Sequence, residues 1–110
     1  MKVATEHFSF QSGETTISVE AIATAGSDPR PALLILHGAD GLKVNTRYRE
    51  GANALAAAGY RVFLIHYLDR TEEWHVSLAT LFQNFGPWLE TVRDAIDWLS
   101  LRPEVDPERI

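Results

Sequence analysis

The run Ala32-Leu33-Leu34-Ile35-Leu36 leads straight into His37-Gly38-Ala39-Asp40-Gly41, and this junction constrains the fold more than any other stretch. A strand with one wet face alternates apolar and polar residues. Five apolar residues in a row instead predict a strand covered on both faces. Pro31 can open such a strand without disrupting its ladder, and the two glycines that follow close it. A chain containing this strand must supply a layer of helices on each side of its sheet.

The flanking sequence supplies those layers. Thr46 to Ala58 is predicted as a helix, capped by Asn45 or Thr46 and ended by Gly59 in the C′ position. Ala52, Leu55, Ala56 and Ala58 give it a small-residue face suited to close packing. Arg61-Val62-Phe63-Leu64-Ile65 is a second buried strand. Strand, helix and strand form a βαβ unit, so these two strands should run parallel. A second helix is predicted over Phe85 to Leu101, with Pro87 at its start and Pro103 beyond its end. Trp88, Val92, Ala95 or Ile96, and Leu99 share its inward face, while Glu90, Arg93, Asp94 and Asp97 face out as a solvated surface. Leu68 to Asn84 carries no clear period. Ahead of all this, His7 to Phe10 and Thr15 to Ala23 read as an antiparallel hairpin broken at Ser12-Gly13. Ile17, Val19 and Ala21 alternate there against a wet face of Thr16, Ser18 and Glu20. Asp106-Pro107-Glu108-Arg109 is a capped turn, and Ile110 stands where a further strand is expected to begin.

The length of 110 residues fits one domain. The formal charge of −5 argues against a nucleic-acid partner, which needs a basic patch. Arg47 and Arg49 around Tyr48 are too short a cluster to form one. Without cysteine there is no disulfide, thiolate metal site or cysteine nucleophile within these residues. No signal peptide and no membrane-length apolar run is evident, which leads to the expectation of a cytoplasmic protein with no membrane contact. His66, Asp69, Glu72 and His75 lie close in sequence, but their spacing matches no helical ligand pair, so no metal and no cofactor is expected. A nucleotide-binding doubly wound fold is ranked last, because the 37–41 glycines have the wrong spacing for G-x-G-x-x-G and no P-loop lysine follows.

Three stretches in this order carry a resemblance: Pro31 to Gly41 (PALLILHGADG), Gly51 to Tyr67 (GANALAAAGYRVFLIHY) and Trp88 to Ile110 (WLETVRDAIDWLSLRPEVDPERI). Together they resemble the N-terminal half of an α/β-hydrolase, most closely the dienelactone-hydrolase-like family. The resemblance implies an α/β fold with a mostly parallel sheet, an antiparallel N-terminal hairpin and two covering helices. Residues 1–110 would form a single partial domain that ends before the nucleophile elbow. In the family's strand order, the 32–36 strand lies between the 61–65 strand and a strand expected after Ile110. Here it would become a bare edge, a template for the missing C-terminal half or for self-association.

The resemblance also assigns roles. The family's nucleophile sits in G-x-S-x-G, with the acid and histidine later in the chain. None of the six serines has that context, so nucleophile, acid and base are expected outside these residues, and the resemblance leaves serine and cysteine both open, since some relatives use cysteine. Hydrolysis of an ester or lactone passes through a tetrahedral oxyanion, stabilised by preorganised backbone N–H groups. The loop after this strand contributes one such donor in the family, which points to the Ala39 N–H, with Asp40 as the alternative. Gly38 would supply the unusual backbone angle, Gly41 the exit, and His37 a brace through its ring. The competing interpretation is a plain strand-to-helix turn. His66 and Tyr67, at the end of a strand, and Trp74 are candidate pocket residues. His66 and Tyr67 are equally consistent with buried, hydrogen-bonded core positions. The sequence thus leads to an ester or lactone hydrolase whose N-terminal portion is inactive alone. A non-catalytic half-fold that assembles through its sheet edge is the alternative.

Overall fold

The computed structural model describes residues 2–38, 41–42, 46–73 and 76–110. Strands β1 (Val3–Ser12) and β2 (Thr15–Thr24) form the hairpin, followed by β3 (Ala32–Ile35), α1 (Arg47–Ala57), β4 (Arg61–Ile65), a 3-10 turn (Tyr67–Thr71) and α2 (Leu78–Ser100). They build one four-stranded sheet in the order β1-β2-β4-β3. The βαβ unit is as expected, with β3 parallel to β4 and Ala32 opposite Arg61. The sheet is not mostly parallel, however. β1 and β2 pair antiparallel, and β2 also joins β4 antiparallel, with Val19 opposite Ile65. The hairpin's second strand fills the position beside β4, so only one of the three seams is parallel.

Every residue of β4 is buried, because its two faces serve two different cores. Val62 and Leu64 pack with Ile22, Leu42, Ala52 and Ala56 under α1. Phe63 and Ile65 pack with Phe10, Ile17, Val19, Ala95 and Leu99 under α2. Each valine, leucine, isoleucine or phenylalanine among them contributes roughly 1.5–3 kcal/mol of burial free energy. Ala52 and Ala56, both fully buried, bring α1 close to the sheet as their size suggested. Gly59 ends α1 with a φ of 105°. The Gly59 N–H then reaches the Ala56 carbonyl, and the Tyr60 N–H reaches that of Leu55, the bond pattern of a Schellman cap.

Three expectations need correction. Helix α2 begins at Leu78, and Pro87 lies inside it rather than at its start. Leu81, Phe85, Trp88, Leu89 and Val92 line one apolar groove, so the helical stripe runs through the proline and outweighs its missing N–H. Within α2, Thr91 is fully buried, whereas Ile96 is 40% exposed. Asp94 turns inward and accepts a hydrogen bond from buried Ser12 at 2.7 Å, where Thr91 and Arg70 also meet the Ser12 hydroxyl. Finally, Glu20 is buried at 8% exposure, because α1 covers the face of β2 expected to be wet.

The tail returns to the sheet. Val105 bridges Arg30 in parallel, and the Ala32 N–H donates to the Arg109 carbonyl at 2.9 Å. The chain therefore leaves beside the N-terminal end of β3, the edge strand. No helix among the described residues is long and apolar enough to cross a membrane.

Candidate functional site

The turn after β3 sits at the carboxyl end of the two parallel strands, where open α/β sheets bind ligands. Its backbone is held from several directions. The His37 carbonyl accepts a hydrogen bond from the Tyr67 hydroxyl at 2.6 Å. The Gly38 N–H donates to the Tyr48 hydroxyl at 2.8 Å. The Gly38 carbonyl accepts from the Gly41 N–H at 3.0 Å, which closes a four-residue turn. It also lies 2.8 Å from His37 Nδ1. A carbonyl only accepts, so Nδ1 carries the proton in this arrangement. The His37 ring is buried, stacks on Tyr67 at 4.5 Å and meets Tyr48 edge-on at 6.4 Å.

Among the described residues, the left-handed backbone angle in this loop falls at Gly41, with φ 72°, and not at Gly38. Glycine therefore serves the exit of the turn, and Gly38 keeps a conformation open to other residues. Its N–H is also spent on Tyr48, which leaves the following residues as the candidate donors. Ala39, Asp40 and Trp74 lie outside the described residues.

A second group supports the turn's exit. Arg49 makes a bidentate pair with Glu20, Nε to Oε1 at 2.9 Å and Nη2 to Oε2 at 2.8 Å. Its Nη1 donates to the Leu42 carbonyl at 2.8 Å. His66 Nε2 donates to Glu20 Oε2 at 2.7 Å. Burial by itself would raise the Glu20 carboxyl. The hydrogen bonds from Arg49 and His66, with their charges, outweigh it and hold the group below its ordinary value.

His37, Leu42, Arg49, His66, Asp69 and Glu72 border a cleft of about 640 Å³ on this side of the sheet. His66 thus lines the cleft while serving as a partner of Glu20. Tyr67 borders a different, apolar groove of about 280 Å³ with Leu36, Phe85 and Trp88, and its hydroxyl holds the turn. The structure brings together His37, Gly38, His66 and Tyr67 from the sequence-derived set. Sequence reasoning missed Glu20, Tyr48 and Arg49. Arg47-Tyr48-Arg49 was visible as a basic cluster, but its Tyr48 and Arg49 hold the loop through the Gly38 N–H and the Leu42 carbonyl. Among the described residues, no group of three or more His, Cys, Asp or Glu side chains is placed to hold a metal ion.

No protein-family model matches the sequence, and comparison with curated proteins finds no significant match. Solved structures do match. A dienelactone hydrolase-like promiscuous phosphotriesterase from metagenomic libraries superposes with a TM-score of 0.78 at 22% identity, covering 97% of this chain and 46% of its own. Dienelactone hydrolase from Anabaena variabilis gives 0.69 at 21% identity, covering 100% and 50%. A cold-adapted esterase from an Arctic intertidal metagenomic library gives 0.70 at 16% identity, covering 93% and 47%. The chain spans about half the length of these structures. Its sheet, its two helices and the order of its elements match a partial α/β-hydrolase-like fold, the N-terminal part of the fold seen in these structures.

Proposed function

We propose that these residues are the N-terminal portion of a dienelactone-hydrolase-like hydrolase of carboxylic esters or lactones, and that they contribute its oxyanion-stabilising turn. The observation that carries this reading is the braced turn at the carboxyl end of β3. Both polar groups of Gly38 are engaged within the protein, so the backbone that enters the turn is held before any ligand arrives. Donors fixed in advance stabilise a developing oxyanion without reorganisation at the moment of reaction. The Ala39 N–H is the first candidate donor and the Asp40 N–H the second, with His37 and Gly38 in support. His66, Tyr67 and Trp74 are the candidate substrate-side residues. A serine or cysteine nucleophile, with its acid and base, belongs to a part of the protein outside these residues. It would attack the acyl carbon, and water would then release the acid from the acyl-enzyme.

The test is twofold. The 110-residue chain alone should hydrolyse p-nitrophenyl acetate no faster than a denatured control, and the protein isolated from its native cells should have an intact mass well above 12.3 kDa. Turnover by the isolated chain, or a native mass of 12.3 kDa, sinks the proposal.

One observation favours a second reading, a non-catalytic half-fold that assembles with another chain. β3 is the edge strand, and the apolar groove beside its end leaves Leu36 47% and Phe85 60% exposed. An open edge next to an apolar groove is a template for pairing.

A further inference from the structure

One peptide unit, the His37 carbonyl with the Gly38 N–H, is gripped at both ends by tyrosine hydroxyls. Tyr67, which opens the 3-10 turn after β4, donates to the carbonyl at 2.6 Å. Tyr48, in the first turn of α1, accepts from the N–H at 2.8 Å. The two phenols come from elements that pack on opposite faces of the sheet. The carbonyl and N–H of a trans peptide point in opposite directions across one plane. Holding both fixes the rotation of that plane, and a flip would break two hydrogen bonds together. The His37 ring stacks on one phenol and meets the other edge-on, so the side chain and the peptide plane are held by the same pair.

We infer that Tyr48 and Tyr67 are positioning residues that set the orientation of the His37–Gly38 peptide, from which the turn starts, as a two-hydroxyl clamp. This rests on the reading of the turn as an anion-stabilising element and adds what aims it. The clamp acts in two ways. It turns the His37 carbonyl toward Tyr67, so that its negative end is occupied by a donor. It also spends the Gly38 N–H, so that anion recognition falls to the N–H groups that follow. The ligand chemistry is a small tetrahedral oxyanion of the kind formed when an ester or lactone carbonyl is attacked. Neither tyrosine needs to touch that ligand.

The test uses the ¹⁵N-labelled 110-residue chain with Tyr48→Phe, Tyr67→Phe and the double variant, and phenylphosphonate as the tetrahedral probe. Tyr48→Phe removes only the acceptor for Gly38. It should speed Gly38 amide exchange severalfold and move its proton resonance upfield, with Val62 to Ile65 amides and the melting temperature unmoved. Phenylphosphonate should perturb amides of the 37–42 loop in the wild type and bind several times more weakly to Tyr48→Phe. A merely structural tyrosine would not weaken binding while stability stays constant. Tyr67→Phe should release the same peptide from its other end, and the double variant should fall short of the sum of the two singles. An unchanged Gly38 amide in Tyr48→Phe, or strict additivity in the double variant, overturns the clamp. If Gly38 responds as expected but the wild type shows no contact with phenylphosphonate, the clamp stands and the anion-binding reading falls.

Discussion

Glu20 shows how far a residue's role can lie from its place in the sequence. In the alternation of β2 it belongs to a wet face, yet it ends up 8% exposed, meeting Arg49 from α1 and His66 from the end of β4. Those partners lie 29 and 46 residues away, and no local period encodes such a meeting. His37 and Gly38 were legible because strand, turn and glycine spacing are local. Their tyrosine partners were not, since nothing in a lone Tyr48 or Tyr67 announces which carbonyl or amide it will reach. The Glu20 cluster makes a pH-dependent prediction. Its folded carboxyl is held below the ordinary range, so its stabilisation is complete above the unfolded glutamate value of about 4.3 and is lost as pH falls through the lower folded value. Glu20→Gln should therefore lower stability at pH 7 by about 2 kcal/mol, the scale of a hydrogen bond to a charged group. Urea titrations from pH 7 down to pH 3 should show the gap between wild type and variant closing on the acid side. A gap that widens as pH falls contradicts this account of the carboxyl.

At the scale of elements, β4 was read correctly, whereas β3, expected to be covered on both faces, is fully buried only at Ala32 and leaves Leu36 at its end 47% exposed. β4 reads as a buried strand because both of its faces are covered, and Ala52 and Ala56 mark the contact of α1 with the sheet, while Ala58, expected on the same face, is exposed. α2 was half legible. Pro87 looked like a start signal, because a proline inside a helix leaves a carbonyl without its N–H partner and crowds the preceding turn. The apolar positions Leu81, Phe85, Trp88 and Val92 nevertheless continue at spacings of four, three and four through the proline. The Trp88 indole N–H also ties this part of the helix to Thr71 at 3.1 Å. A helix that pays for an internal proline should gain when it is removed. Pro87→Ala is expected to stabilise the chain by about 1–3 kcal/mol, read as a rise in urea midpoint with unchanged slope. A first-turn proline would give little change or a small loss on the same substitution, so the sign and size of the shift decide where α2 begins.

For the whole molecule, the governing fact is an asymmetric sheet. β1 pairs along its whole length with β2 and forms one edge, and β3 forms the other, its only outer partners among the described residues being the tail contacts at Arg30 and Ala32. Beyond Ala32 the outer edge is open among the described residues, and it runs beside the groove where Phe85 is 60% and Leu36 47% exposed. This is the combination that folded proteins ordinarily cover, charge or shorten. The sequence anticipated the edge through family strand order alone. It did not anticipate the groove, because the first seven residues of α2 were not recognised as helix. Edge and groove together predict that the isolated chain self-associates, with a second copy completing both. Light scattering at rising concentration should show a mass above 12.3 kDa. Leu36→Lys combined with Phe85→Glu places opposite charges on two residues that are already largely exposed, so the fold should survive and the mass should return to that of the monomer. A wild-type chain that stays a monodisperse monomer at high concentration would show that the edge needs no partner. A dimer that survives both substitutions would place the contact elsewhere on the surface.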